Sequence, residues 1–190
     1  MKKSIGAKTI IHPLPVLIVG TYNPNGQPNI MAVSWGGICC SQPPCIAISI
    51  REATQTYQNI VDKKCFTVNI PSEKHVVEAD YAGIASGRDE NKFEKAGLTA
   101  IKSEIIDAPY VDEFPYFLEC KLMLTTNIGL HTQFIGEILD LKADGDVLND
   151  KGKPDIKKVR PIIYGSFSNS TYFGIGEEIG EAFSIGKKIE

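Results

Sequence analysis

Residues 16–35, VLIVGTYNPNGQPNIMAVSW, impose a hairpin on any fold this chain adopts. Two runs rich in β-branched and aromatic residues flank Pro24-Asn25-Gly26, where glycine takes the positive φ of a tight reversal at little cost. Further β-type runs follow: CIAISI (45–50), CFTVNI (65–70), FLECKLMLT (117–125), FIGEILDLKA (134–143) and RPIIYGSF (160–167). FLECKLMLT and FIGEILDLKA alternate in part between apolar and polar residues, as half-buried strands do. Helical signals are fewer and shorter. One covers Thr54 to Asp62. A second is SEKHVVEADYAGIAS, with Ser72 as N-cap and Glu73 suited to the positive helix end. The third is RDENKFEKAG (88–97), closed by Gly97. Short strands with a few interposed helices predict a mainly β protein, a barrel or a sandwich. A doubly wound fold needs long helices in regular alternation with strands, and the pattern has none. With 190 residues, one hydrophobic core is expected, in a single domain over 1–190.

Composition removes several classes of function. A net charge of −3 does not supply the basic face that nucleic acid requires. No stretch reaches the ~18 apolar residues of a membrane span. His12, Pro13 and Pro15 break the N-terminal run before it resembles a secretory signal, so a cytoplasmic protein is expected. The five cysteines (Cys39, Cys40, Cys45, Cys65, Cys120) contain no C-x-x-C pair and read as reduced thiols. A redox role for Cys39 or Cys40 stays open, because both adjoin the unusual stretch described next. The three histidines are scattered, and no metal site is expected. Neither a phosphate-binding loop nor a dinucleotide fingerprint stands at a strand-to-helix junction.

Three stretches carry chemistry. Arg51, Thr54 and Thr56 crowd a strand end and a helix start, and arginine, hydroxyls and free helix N–H groups suit a phosphate monoester. A simple N-cap beside a surface arginine would account for the same residues. SGRDENKFEKAG brings Ser86, Arg88 and Lys92 onto a turn and helix, a pattern that a solvated surface also explains. In NIMAVSWGG (29–37), the small residues Ala32, Ser34, Gly36 and Gly37 let a planar ligand approach the backbone. Trp35, the single tryptophan, could wall such a site or anchor the core.

Taken in order, HPLPVLIVGTYNPNGQPNIMAVSWGG, PPCIAISIREATQTYQNI, FTVNIPS, SGRDENKFEKAGLT, HTQFIGEILD and RPIIYG resemble the flavin reductase-like family, and within it the flavoredoxin branch. The resemblance implies an FMN-binding, six-stranded Greek-key split β-barrel that forms a homodimer, with FMN held non-covalently near the subunit interface. Carried over by position, Met31, Ala32, Val33, Ser34 and Trp35 would line the isoalloxazine. Arg51, Thr54 and Thr56 would hold the phosphate and ribityl chain. Asn69 would reach the flavin edge or stand just behind it, Ser86 and Lys92 would add polar contacts, and Tyr164 and Phe173 would cover the site. His131 resembles a histidine flanking the flavin or nicotinamide pocket and is the one catalytic candidate. The implied activity is an oxidoreductase that moves electrons from NAD(P)H through FMN to a flavin, ferric or protein acceptor. A flavoredoxin-type carrier without NAD(P)H oxidation, or a non-catalytic ligand-binding barrel, are the alternatives.

Overall fold

The computed structural model describes residues 1–166 and 170–189. In chain order the elements are β1 (Leu14–Pro15), β2 (Leu17–Tyr22), β3 (Pro28–Val33), β4 (Gly36–Ser41), β5 (Pro44–Arg51), α1 (Gln55–Lys63) and β6 (Cys65–Ile70). Then come α2 (Val76–Ile84), α3 (Lys92–Ala96), β7 (Ala100–Lys102), β8 (Pro109–Val111), β9 (Tyr116–Ile128) and β10 (His131–Ala143). The last are α4 (Ile156–Val159), β11 (Ile163–Gly165) and β12 (Thr171–Phe173).

The main sheet runs β3-β2-β6-β9-β10-β5-β4. Its two outermost segments are consecutive in the chain, separated only by Ser34 and Trp35. β3 and β4 are therefore one bent strand that pairs with β2 before the bend and with β5 after it. The Ser49 N–H donates to the Trp35 carbonyl at 2.8 Å and fastens the corner. Joining these two segments turns the sheet into a six-stranded barrel, split where the strand bends. Mainly β architecture with a few helices is thus observed.

The expected hairpin forms, with Gly26 at φ 82° and its N–H donating to the Asn23 carbonyl at 2.8 Å. Leu17 and Val19 point into the barrel, where they meet Ile48, Phe66, Val68 and Phe134. Val16 and Ile18 point outward and are equally buried, under α2 and α3, together with Ile30, Ala79, Ala82 and Phe93. Burial on both faces explains why VLIV reads as continuous apolar sequence and not as an alternation. Each such side chain stabilises the fold by about 1.5–3 kcal/mol through removal from water.

Several local readings change. The strand β4, over GGICCS, carries no alternation and is held by pairing with β5. Ser72 does not cap a helix; its Oγ lies 3.4 Å from His75 Nδ1, and a short 3-10 turn over Glu73–His75 precedes α2. The helix expected over 88–97 begins only at Lys92, where Asn91 Oδ1 accepts from the Glu94 N–H at 3.4 Å. Gly97 ends it in the left-handed region, as read. The last strand, expected over 160–167, is confined to Ile163–Gly165, and Phe167 lies outside the described residues. No described helix is long and apolar enough to cross a membrane.

Candidate functional site

The first part of the site is built where α1 closes one mouth of the barrel. Thr54 is the N-cap: its Oγ1 accepts from the Tyr57 N–H at 3.2 Å and donates to the Arg51 carbonyl at 2.9 Å. Behind it lies a buried polar network. Asn59 Nδ2 donates to Thr21 Oγ1 at 2.9 Å and to Asn23 Oδ1 at 2.8 Å, and Gln55 Nε2 donates to Asn59 Oδ1 at 2.8 Å. Asn29 Nδ2 donates to Thr56 Oγ1 at 2.9 Å and to Thr21 Oγ1 at 3.3 Å. The network fixes the start of α1, and hence its free N–H groups, over the start of β3.

A cavity of about 180 Å³ opens against this start, lined by residues that include Asn29, Met31, Thr54, Thr56, Ser86 and Lys92. Two of its groups are incompletely matched by the protein. Lys92 is 3% exposed, and its Nζ donates to the Ala82 carbonyl at 2.8 Å. Burial pushes its ammonium down to about 8, partly opposed by the charge of Glu90. An ammonium carries three donors, so this one bond leaves capacity for an anion. Asn29 is 2% exposed, and its Oδ1 has no hydrogen-bond partner among the described residues. A buried acceptor left unpaired costs about 1–3 kcal/mol, so a ligand hydroxyl suits the position. Gly87 lets the loop close here, because a Cβ on it would stand 2.0 Å from Asn29 Oδ1.

The second part lies at the bend between β3 and β4. Trp35 and His131 rings stand 4.7 Å apart at 39°. A larger cavity, about 400 Å³, is lined by Lys8 to Ile11, Leu14 and Ser34 to Gly36. Met31 in the first cavity and Ser34 in the second are three residues apart, about 10 Å along a strand. The two cavities therefore lie at neighbouring points of the bent β3–β4 strand.

The structure brings Met31, Thr54, Thr56, Ser86 and Lys92 together in the first cavity, and Ser34 and Trp35 in the second. Trp35 is half-buried and belongs to the wall. Arg51 stands between the two, exposed, joined to Thr54 through its carbonyl and paired across the ladder with His131. Ala32 packs against Gly83 at the margin of the first cavity without lining it, and the Val33 side chain belongs to the barrel core. Asn69 is also placed elsewhere. Its Nδ2 donates to the Ile18 carbonyl and Thr67 Oγ1, and its Oδ1 accepts from the Val111 N–H, which spends the amide on joining β2, β6 and β8. Tyr164 and Phe173 lie on the small sheet β1-β11-β12 and line neither cavity. The sequence reading missed Asn29, Gln55 and Gly87. A polar Asn29 between Pro28 and Ile30, inside a run of β-type sequence, was the available signal.

Comparison with known proteins places the fold in a family. The flavoredoxin of Desulfovibrio vulgaris (Miyazaki F) superposes with a TM-score of 0.93 at 52% identity, covering 98% of this chain and 100% of that one. A flavoredoxin from Methanosarcina acetivorans gives 0.91 at 29% identity and covers 100% of both chains. An uncharacterized protein of Archaeoglobus fulgidus is 32% identical over 144 residues, 76% of this chain and 80% of its own length. Residues 10–166 match the flavin reductase like domain, and that span contains every group of both cavities apart from Lys8 and Thr9. The chain therefore belongs to the flavin reductase-like family.

Proposed function

We propose that this protein binds FMN and works as an oxidoreductase, taking electrons from reduced nicotinamide and passing them to a flavin, ferric or protein acceptor. The observation that carries the reading is the pairing of a buried, under-used Lys92 ammonium with the orphaned Asn29 Oδ1 in one cavity beside the α1 start. A phosphate accepts from Lys92, from the Thr54 region and from free α1 N–H groups. A ribityl hydroxyl donates to Asn29 Oδ1. Trp35 and His131 then border the ring, and Ser34 and the strand backbone meet its polar edge. When bound, the flavin supplies the redox chemistry. The protein's own part is to fix the phosphate at Lys92, hold the ring beside Trp35, and keep water from its covered face.

Ile38 (68% exposed), Leu124 (53%) and Ile128 (56%) leave apolar surface next to this ring site. Ile128, His131 and Arg51 share one row of the sheet. A second copy of the chain is the proposed cover, in keeping with apolar patches at subunit contacts.

A second reading, an electron carrier without NAD(P)H oxidation, is favoured by the similarity to a flavoredoxin. Anaerobic mixing of the FMN-loaded protein with NADH and NADPH separates the two. Bleaching of the flavin absorption at catalytic speed establishes the oxidoreductase. Bleaching only by a reduced protein donor establishes the carrier, and protein that stays colourless and takes up no added FMN overturns both.

A further inference from the structure

The β4–β5 hairpin assembles thiols that the flavin site does not use. Ser41 and Pro44 are paired across the two-residue connection, and Cys40 and Cys45 form the next pair out. Residues directly opposed on antiparallel strands have Cα atoms about 4.5–5.5 Å apart and point to one face. A disulfide spans roughly 4.4–6.8 Å between Cα atoms, so this pair stands at bridging distance. Cys39 is the extra residue of the bulge between Ile38 and Cys40 and has no opposite number on β5. All of these cysteines are free thiols.

The two partners differ in a way that assigns roles. Cys40 is exposed on the edge of the barrel, open to a small oxidant. Cys45 is 2% exposed, and its Sγ lies 3.8 Å from Met123 Sδ. Burial pushes its thiol up, and the neighbouring Cys40, Cys39 and Glu137 add to the shift, which disfavours its thiolate. The thiolate is the nucleophile, so the exposed partner attacks and the buried one resolves.

We propose that Cys40 and Cys45 are a two-electron thiol pair that closes to a cross-strand disulfide on exposure to a hydroperoxide. Cys40 sulfur attacks the peroxide O–O bond, forming an S–O bond and releasing water, which leaves Cys40 as the sulfenic acid. Cys45 sulfur then attacks Cys40 sulfur: the S–S bond forms, the S–O bond breaks, and the hydroxyl leaves as water with the Cys45 proton. The sulfur pair loses two electrons, and the peroxide oxygens gain them. The bridge would link the two strands beside the bend that carries Trp35.

Treatment of the full-length protein with hydrogen peroxide, then alkylation and peptide mapping by mass spectrometry, tests this. The expected result is a peptide lighter by two hydrogens, with Cys40 and Cys45 alkylated only after reduction and Cys39 alkylated throughout. Cys39→Ser should form the same bridge. In Cys45→Ala, dimedone should trap a sulfenic acid on Cys40, and in Cys40→Ser the bridge should vanish. The wild-type map decides the matter even if the Cys45 variant folds poorly. Free Cys40 and Cys45 after peroxide, or a bridge that uses Cys39, overturns the proposal.

Discussion

At one end of the site, Asn29, Thr56 and Lys92 are each no more than 3% exposed, and protein partners hold the Asn29 Nδ2 and Thr56 hydroxyl while leaving Asn29 Oδ1 and part of the Lys92 ammonium unmatched. At the other end, Trp35 and His131 are half-buried, with their rings 4.7 Å apart. The first region is rigid, charged and enclosed; the second is aromatic and open along one side. Under the proposed function, the first would grip the cofactor and the second would exchange electrons with partners. Tight polar contacts belong at the end that never reacts, and an accessible face belongs at the end that does. Binding strength should therefore be concentrated at Lys92, and redox behaviour at Trp35.

The largest expected effect comes from Lys92→Met. Removing a charge-assisted bond of about 1.5–3 kcal/mol should weaken FMN binding by roughly 10- to 100-fold. Riboflavin, which has no phosphate, should bind the variant as it binds the wild type. Quenching of flavin fluorescence on titration measures both, and equal losses for the two ligands would break the comparison.

A pH series sharpens the same point. The Lys92 pKa in the folded protein, about 8, lies below its ordinary 10.5, so the folded state binds fewer protons than the unfolded state between those values. Stability of the FMN-free protein should rise as pH climbs through that window. FMN affinity should fall over the same range, because the ammonium that meets the phosphate is lost. Urea melts and fluorescence titrations at matched pH should show the opposed trends, and Lys92→Met should flatten both.

Trp35→Ala should have the smallest effect on affinity. An aromatic contact of about 0.5–1.5 kcal/mol corresponds to a loss of no more than about 10-fold. The absorption band of bound flavin should nevertheless shift, and thermal stability should change little, since the ring is a wall and not a core anchor. A collapse in melting temperature would place Trp35 in the core after all.

How much of this was legible depended on how local each feature is. The helix opening at Thr54, Gly97 as helix end and Gly26 as turn follow from contacts within a few residues, and the structure shows each, with Thr54 as the N-cap. Lys92 looked like a surface lysine of a short helix, because nothing in RDENKFEKAG reveals that its ammonium reaches back to the Ala82 carbonyl. Asn69 resembled a flavin contact by position. Its amide is instead consumed by partners as far away as Ile18 and Val111, which no local pattern discloses. The strand β4 was invisible for a related reason: GGICCS has no alternation of its own and becomes a strand through pairing with β5.

By itself, the sequence determined the class of fold and the neighbourhood of the site. Strand periodicity, turn glycines and helix caps are set by steric and hydrogen-bond preferences that act over a few residues. Only the tertiary structure decided which polar groups line the cavities. The bend at Ser34-Trp35 closes the barrel, α1 plugs its mouth, and the loop at Gly87 folds onto Asn29. Together these leave one buried amine and one buried carbonyl oxygen incompletely matched in the same cavity. Long-range packing sets such mismatches, because a polar atom's partners are fixed only once every surrounding element is in place.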